Sequence, residues 1–319
     1  VVFWSAAGCA PAVVRLSADS LAQQRARSPM DVVDGHIHLC EARHPWLAAV
    51  EQEQGLQTGA LDKLWSCEEL CAQVAACAAN FSVRRAVFVE ACGGVHASAE
   101  TALMLREAAR PDGLVAACVA HVPAPDGAAA VNAFLDGLRD SAGALPAALK
   151  GGRVVLMGSP PDAARAPACL EGLRALAAAG LHWEWCCSPS HLPAIVETTR
   201  ELPGCQFVLD HCGHNGGGDD FDTWAADLRR LAACPNVVCK MGAIEEWTVD
   251  DPQPYLREAL AAFGFDRCLA ESNWFVSEAL GRPYARSFED LQVALDAVGA
   301  THADRRAVFA DNARRVYRL

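Results

Sequence analysis

The stretch DVVDGHIHLC, residues 31–40, sets His36 and His38 one residue apart behind an apolar run. On an extended strand, residues i and i+2 face the same way, their Cα atoms about 6–7 Å apart. Two imidazoles so placed can ligate one divalent ion or polarise one carbonyl. A third histidine, His211, closes a later apolar run, CQFVLDH (205–211). Asp210 precedes it, and strand alternation directs that carboxylate to the opposite face. His214 follows three residues on, in a Gly-rich loop. A further run, RCLAESNW, puts Glu271 and Asn273 on one face with Trp274 beyond them. Glu271 can take a proton from water, whereas Asn273 is an amide and does not titrate. Arg153, in LKGGRVVL, offers a fork of donors suited to a carboxylate. Glu90, His121, Glu184, Cys186 and Lys240 lie at or near the ends of other apolar runs, and an inward Lys240 could bind an anion. Plain structural roles stand beside these: ion pairs for Glu271, Glu90 and Arg153, a core imidazole for His211, loop positions for His121 and His214.

Side chains so far apart in sequence need a scaffold that gathers strand ends. Eight short β-rich runs, at 31–38, 84–91, 114–120, 149–156, 181–187, 205–211, 236–242 and 267–273, alternate with longer Ala/Leu/Arg/Glu segments of helical spacing. Ser66 reads as a helix N-cap, with Glu69 three residues on, and Gly180 as a C-terminal stop. Near-continuous apolar strands imply burial on both faces, the mark of parallel β/α architecture. Eight such units predict a closed (β/α)8 TIM barrel formed as one domain over residues 31–319. Its active site would sit at the C-terminal ends of the strands. An open doubly wound sheet is the alternative, but no GxGxxG follows the first strand.

Composition narrows the functional classes. The chain has 319 residues, 52% hydrophobic and 21% charged, enough to bury a large core. A net charge of −12 argues against nonspecific nucleic-acid binding. The 15 cysteines are odd in number and contain no CxxC pair, so free thiols in a reducing cytoplasmic or organellar setting are expected. Residues 1–30 carry Arg15, Arg25 and Arg27 behind an apolar start, and read either as a targeting remnant or as an extension packed on the barrel. No stretch is long and apolar enough for a transmembrane helix. The oligomeric state is left open, homo-oligomers included.

The motifs in order resemble the amidohydrolase-related (type 2) family of the amidohydrolase superfamily, and within it the sugar-lactone and dicarboxylate-lactone hydrolases. VVDGHIHL is similar to the family's first-strand HxH, and ARHPWL (42–47) to the Pro-Trp-Leu segment that follows it in the lactonase branch. LKGGRVVL, LPGCQFVLDHCG, NVVCKMGAIEEW, PYLREALAAFGFDRCLAESNWFV and FADNARRVYRL match in order and spacing. The resemblance implies a barrel whose mouth binds a small-molecule lactone or carboxylate. His36, His38 and His211 would be metal ligands or carbonyl-polarising groups, and Arg153, Trp274 and His214 would contact substrate. One divalent metal, zinc or manganese, is implied for some members, and others act without one. The eighth-strand position normally carrying Asp reads Asn273 here, so Glu271 is expected to replace it as the base, with His211 and Asn273 beside it. Three functions follow: a lactone-opening hydrolase, a metal-dependent decarboxylase or other lyase, and a barrel that binds without turnover.

Overall fold

The computed structural model describes residues 28–40, 47, 51–52, 57–59, 61–62, 64–91, 97–214, 220–244 and 251–319. Of the expected N-terminal extension, residues 1–27 lie outside the described residues, while Met30 already opens the first strand. The Pro-Trp-Leu segment lies outside them too, except for Leu47.

Eight strands form one parallel sheet in sequential order. They are β1 (Met30–Ile37), β2 (Phe81–Val89), β3 (Val115–His121), β4 (Leu149–Val155), β5 (His182–Cys186), β6 (Phe207–Leu209), β7 (Val237–Met241) and β8 (Cys268–Ala270). Between them run α1 (Cys67–Cys77), α2 (Ala97–Ala108), α3 (Ala128–Asp136), α4 (Pro167–Ala178), α5 (Leu192–Glu201), α6 (Phe221–Ala232) and α7 (Gln253–Phe263). After β8 come α8 (Arg286–Ala297) and α9 (Asn312–Tyr317). The architecture is the predicted TIM barrel. Ser66 caps α1 by accepting from the Glu69 N–H, and Gly180 leaves α4 at φ +76°, where a side chain would be strained.

The ring is drawn together where β1 meets the segment after β8. Ile37 bridges Trp274, and the Asn273 N–H donates to His36 O at 3.0 Å. A Cβ on Gly35 would lie 2.7 Å from Ala270 O, so only glycine permits this approach. Asp34 ties the seam from inside: it accepts from Ser272 Oγ at 2.6 Å, Ser272 N at 3.0 Å and Tyr284 OH at 2.9 Å. Burial pushes its carboxyl up to about 6 despite these bonds.

The lower interior is apolar. Val33, Val87, Ala117, Val119, Val208, Val238 and Leu269 meet Ala310, Ala313 and Tyr317 from the C-terminal segment. Arg314 of α9 also pairs with Asp31 at the start of β1, at 2.7 Å. The C-terminal segment therefore closes the N-terminal end of the barrel, leaving the opposite end for chemistry. The described cysteines are free, most of them buried, and no helix among the described residues is long and apolar enough to cross a membrane.

Candidate functional site

β1 delivers both of its histidines to the barrel axis. His36 and His38 are buried, with their Nε2 atoms 3.2 Å apart. His38 Nδ1 lies 2.7 Å from Val89 O, an atom that can only accept, so the ring proton sits on Nδ1. Its Nε2 lies between His36 Nε2 and Asn273 Oδ1, the latter 3.1 Å away. Burial, with Lys240 nearby, holds the His36 imidazole well below its ordinary pKa, so it is neutral.

β6 and β8 end earlier than the sequence suggests, and the reason matters for the site. His211 and Cys212 adopt φ +52° and +53°, and Asn273 φ +53°, which breaks strand alternation just past Leu209 and Ala270. Asp210 consequently turns inward together with His211, and does not point to the opposite face. With Ala243 at φ +59°, the backbone strain of three successive strand ends gathers at this mouth.

Glu271 joins two of the histidines. Its Oε1 lies 3.0 Å from His211 Nδ1 and accepts the His211 N–H at 3.2 Å, and its Oε2 lies 3.2 Å from His36 Nδ1. A Cβ on Gly242 would come within 2.8 Å of Glu271 Cγ, so a glycine after β7 makes room for this carboxylate. Burial raises the Glu271 carboxyl by more than His211 and Lys240 lower it. Burial alone would lower the His211 imidazole, but Glu271, Cys186 and Asp210 together hold it well above its ordinary value. The Cys186 thiol, at the end of β5, also hydrogen-bonds His211.

The two carboxylates of the cluster differ sharply. Asp210 accepts from Arg153 Nη1 at 3.0 Å through Oδ2, and its Oδ1 lies 3.0 Å from Lys240 Nζ. Burial alone would raise its carboxyl, but Lys240, His36 and Arg153 hold it well below the carboxylate range. Arg153 is buried and gives Nε–H to Glu90 Oε1 at 2.9 Å and an Nη2–H to Glu90 O, with Nη1 also 3.2 Å from His36 Nε2. Glu90 in turn faces His121, 3.5 Å away. Trp274 is fully buried, donating Nε1–H to Glu278 at 2.6 Å and packing edge-on against Trp65. His214 is buried beside Tyr255, ring centres 4.7 Å apart, and Trp224.

His36, Asp210 and His211 each offer one donor atom, all within 4.8 Å of one another. Neutral His36 and ionised Asp210 are in the states that ligation requires, His211 would give up a proton on binding, and this nitrogen and oxygen set suits zinc or another borderline divalent ion. The residues therefore fit a metal. Asp210 was absent from the expected ligands because its inward turn depends on the left-handed His211 backbone, and no local signal marks that.

A family model described as Amidohydrolase matches residues 33–319. The chain belongs to the amidohydrolase family. Among curated relatives it is 31% identical over 166 residues to the uncharacterized protein y4mH of Sinorhizobium fredii, covering 50% of this chain and 54% of that one. It is 29% identical over 163 residues to an L-fucono-1,5-lactonase of Burkholderia ambifaria, covering 48% and 55%. This amidohydrolase thus spans about half the length of the curated relatives it matches. A Burkholderia multivorans amidohydrolase with bound zinc shares its fold, with TM-score 0.72 and 24% identity over 90% of this chain and 99% of that one.

Proposed function

We propose that this amidohydrolase opens the C–O ester bond of a small sugar-acid or dicarboxylate lactone. The observation carrying this is the buried Glu271–His211 pair set against His36 and His38. Asp210 is held too strongly ionised to serve as a base, whereas burial raises the Glu271 carboxyl and makes it the better proton acceptor of the two. Water attacks the lactone carbonyl carbon, and its proton passes to the Glu271–His211 pair. The pair returns one proton to the ring oxygen as the C–O bond breaks, leaving the hydroxy acid and an unchanged site. Asn273, whose Oδ1 lies 3.1 Å from His38 Nε2, is the proposed partner that sets that imidazole's orientation. Arg153 meets both Asp210 and His36 through Nη1 and is the proposed contact for a substrate carboxylate. Trp274 and His214, both buried, are the further proposed substrate contacts. A divalent ion held by His36, Asp210 and His211, with His38 adjacent, would supply Lewis-acid polarisation of the carbonyl; zinc and manganese are the proposed ions.

The test is proton release from a panel of sugar-acid and dicarboxylate lactones, with and without added Zn²⁺ or Mn²⁺. Ring opening that disappears in Glu271→Gln supports the assignment. Inertness toward every lactone under both conditions refutes it, and CO₂ release from an aromatic or unsaturated carboxylate would make the barrel a lyase.

A further inference from the structure

Lys240 is the most completely buried cation of the barrel interior, and the mechanism above does not use it. It rises from β7 with no solvent exposure. Its Nζ meets three groups: Glu184 Oε2 at 2.5 Å, Asp210 Oδ1 at 3.0 Å and His36 Nδ1 at 3.1 Å. An ammonium has three protons and no lone pair, so these contacts use every donor it has. Two of the three partners, Asp210 and His36, belong to the donor set that would hold a metal.

The lysine is anchored from beneath. Glu184 Oε1 accepts from Tyr317 OH at 2.7 Å and lies 3.0 Å from His182 Nε2. Tyr317 belongs to the C-terminal segment that closes the lower end of the barrel. The ammonium is thus pinned between a fixed carboxylate below and the cluster above. It also occupies one side of the His36 ring. Nδ1 faces the ammonium at 3.1 Å, and Nε2 faces Arg153 Nη1 at 3.2 Å. Ligation through either His36 nitrogen then has an obstacle: Nδ1 meets the lysine, and Nε2 meets the arginine.

We propose that Lys240 is the resident cation of this site, competing with a divalent metal for Asp210 and His36 and thereby weakening the site's affinity for the ion. Tyr317 and Glu184 act as its positioning residues, so the C-terminal segment tunes metal occupancy across the length of the barrel. The inference does not depend on the substrate.

The test is the zinc affinity of the full chain, measured by competition against a chromophoric chelator. His36→Ala serves as reference, because the many thiols of this chain contribute background binding. Lys240→Met, which keeps the shape and removes the charge, should bind zinc at least 10-fold more tightly at the His36-dependent site, in line with the effect of groups flanking metal ligands. Lys240→Arg should stay weak. Tyr317→Phe, which keeps the ring and frees Glu184, should give a smaller gain and carries the test if Lys240→Met does not fold. Wild-type protein that binds one His36-dependent zinc as tightly as Lys240→Met, or an unchanged affinity in Tyr317→Phe where Lys240→Met is not folded, overturns the proposal.

Discussion

The upper and lower halves of the barrel interior are lined by the same eight strands, yet they are opposite in chemistry. Below, valines, alanines and Leu269 enclose Tyr317 in a dry layer. Above, His36, His38, Arg153, Asp210, Lys240 and Glu271 are all buried with at most 3% exposure. The lower layer is held by loss of apolar surface from water, which needs no specific partner. The upper layer exists only because each charge is answered by another within about 3 Å, since an unpaired buried charge is prohibitively costly. One chain of contacts crosses the boundary: Tyr317 to Glu184, Glu184 to Lys240, and Lys240 to Asp210 and His36. The comparison teaches that the lower half is damaged chiefly by lost volume, whereas the upper half is damaged chiefly by lost pairing.

The strongest way to break the contrast is to remove the proposed proton acceptor without altering shape. Glu271→Gln should cut lactone kcat/KM by roughly 100- to 10,000-fold with the circular dichroism spectrum retained. Turnover unchanged in that variant would remove Glu271 from the mechanism. In the lower half the corresponding insult is a cavity. Tyr317→Ala should cost about 3–5 kcal/mol in urea unfolding, as for other large buried aromatics, and a loss below 1 kcal/mol would mean that the C-terminal segment does not close the barrel.

The seam between β1 and β8 sharpens the comparison through pH. Asp34 titrates near 6 in the folded chain against an ordinary value of 3.8. The folded state holds that proton more tightly than the unfolded one. Its stabilising contribution is therefore complete below the ordinary value and lost as pH rises through the folded value, about 3 kcal/mol in all. Urea midpoints on either side of that window should show the slope in the wild type and lose it in Asp34→Asn; identical slopes would refute the assignment. The smallest expected effect is at Asn273. A carboxylate there would make His38 more basic, and Asn273→Asp should raise hydrolysis roughly 10-fold. A fall instead would show that the amide itself is needed beside His38.

Much of this was legible in the chain. Apolar runs of strand length alternating with helical segments determine a parallel β/α architecture, because strands buried on both faces need helices over them, and eight units without a GxGxxG favour the closed barrel over the open sheet. The two-residue spacing of His36 and His38 determines that both imidazoles leave one strand on one side. Glu271, His211 and Arg153 could be nominated because they stand at or near strand ends, where a barrel does its chemistry. The tertiary structure alone decided which of them meet. Asp210 entered the cluster because His211 adopts a left-handed backbone, a conformation carrying no sequence signature at a non-glycine residue. Lys240 became central, and Glu184 and Tyr317 became its supports, because strands and a C-terminal segment distant in sequence converge on one axis. Periodicity tells which face a side chain takes, but the partner that answers a buried charge is found only when all eight strands have closed.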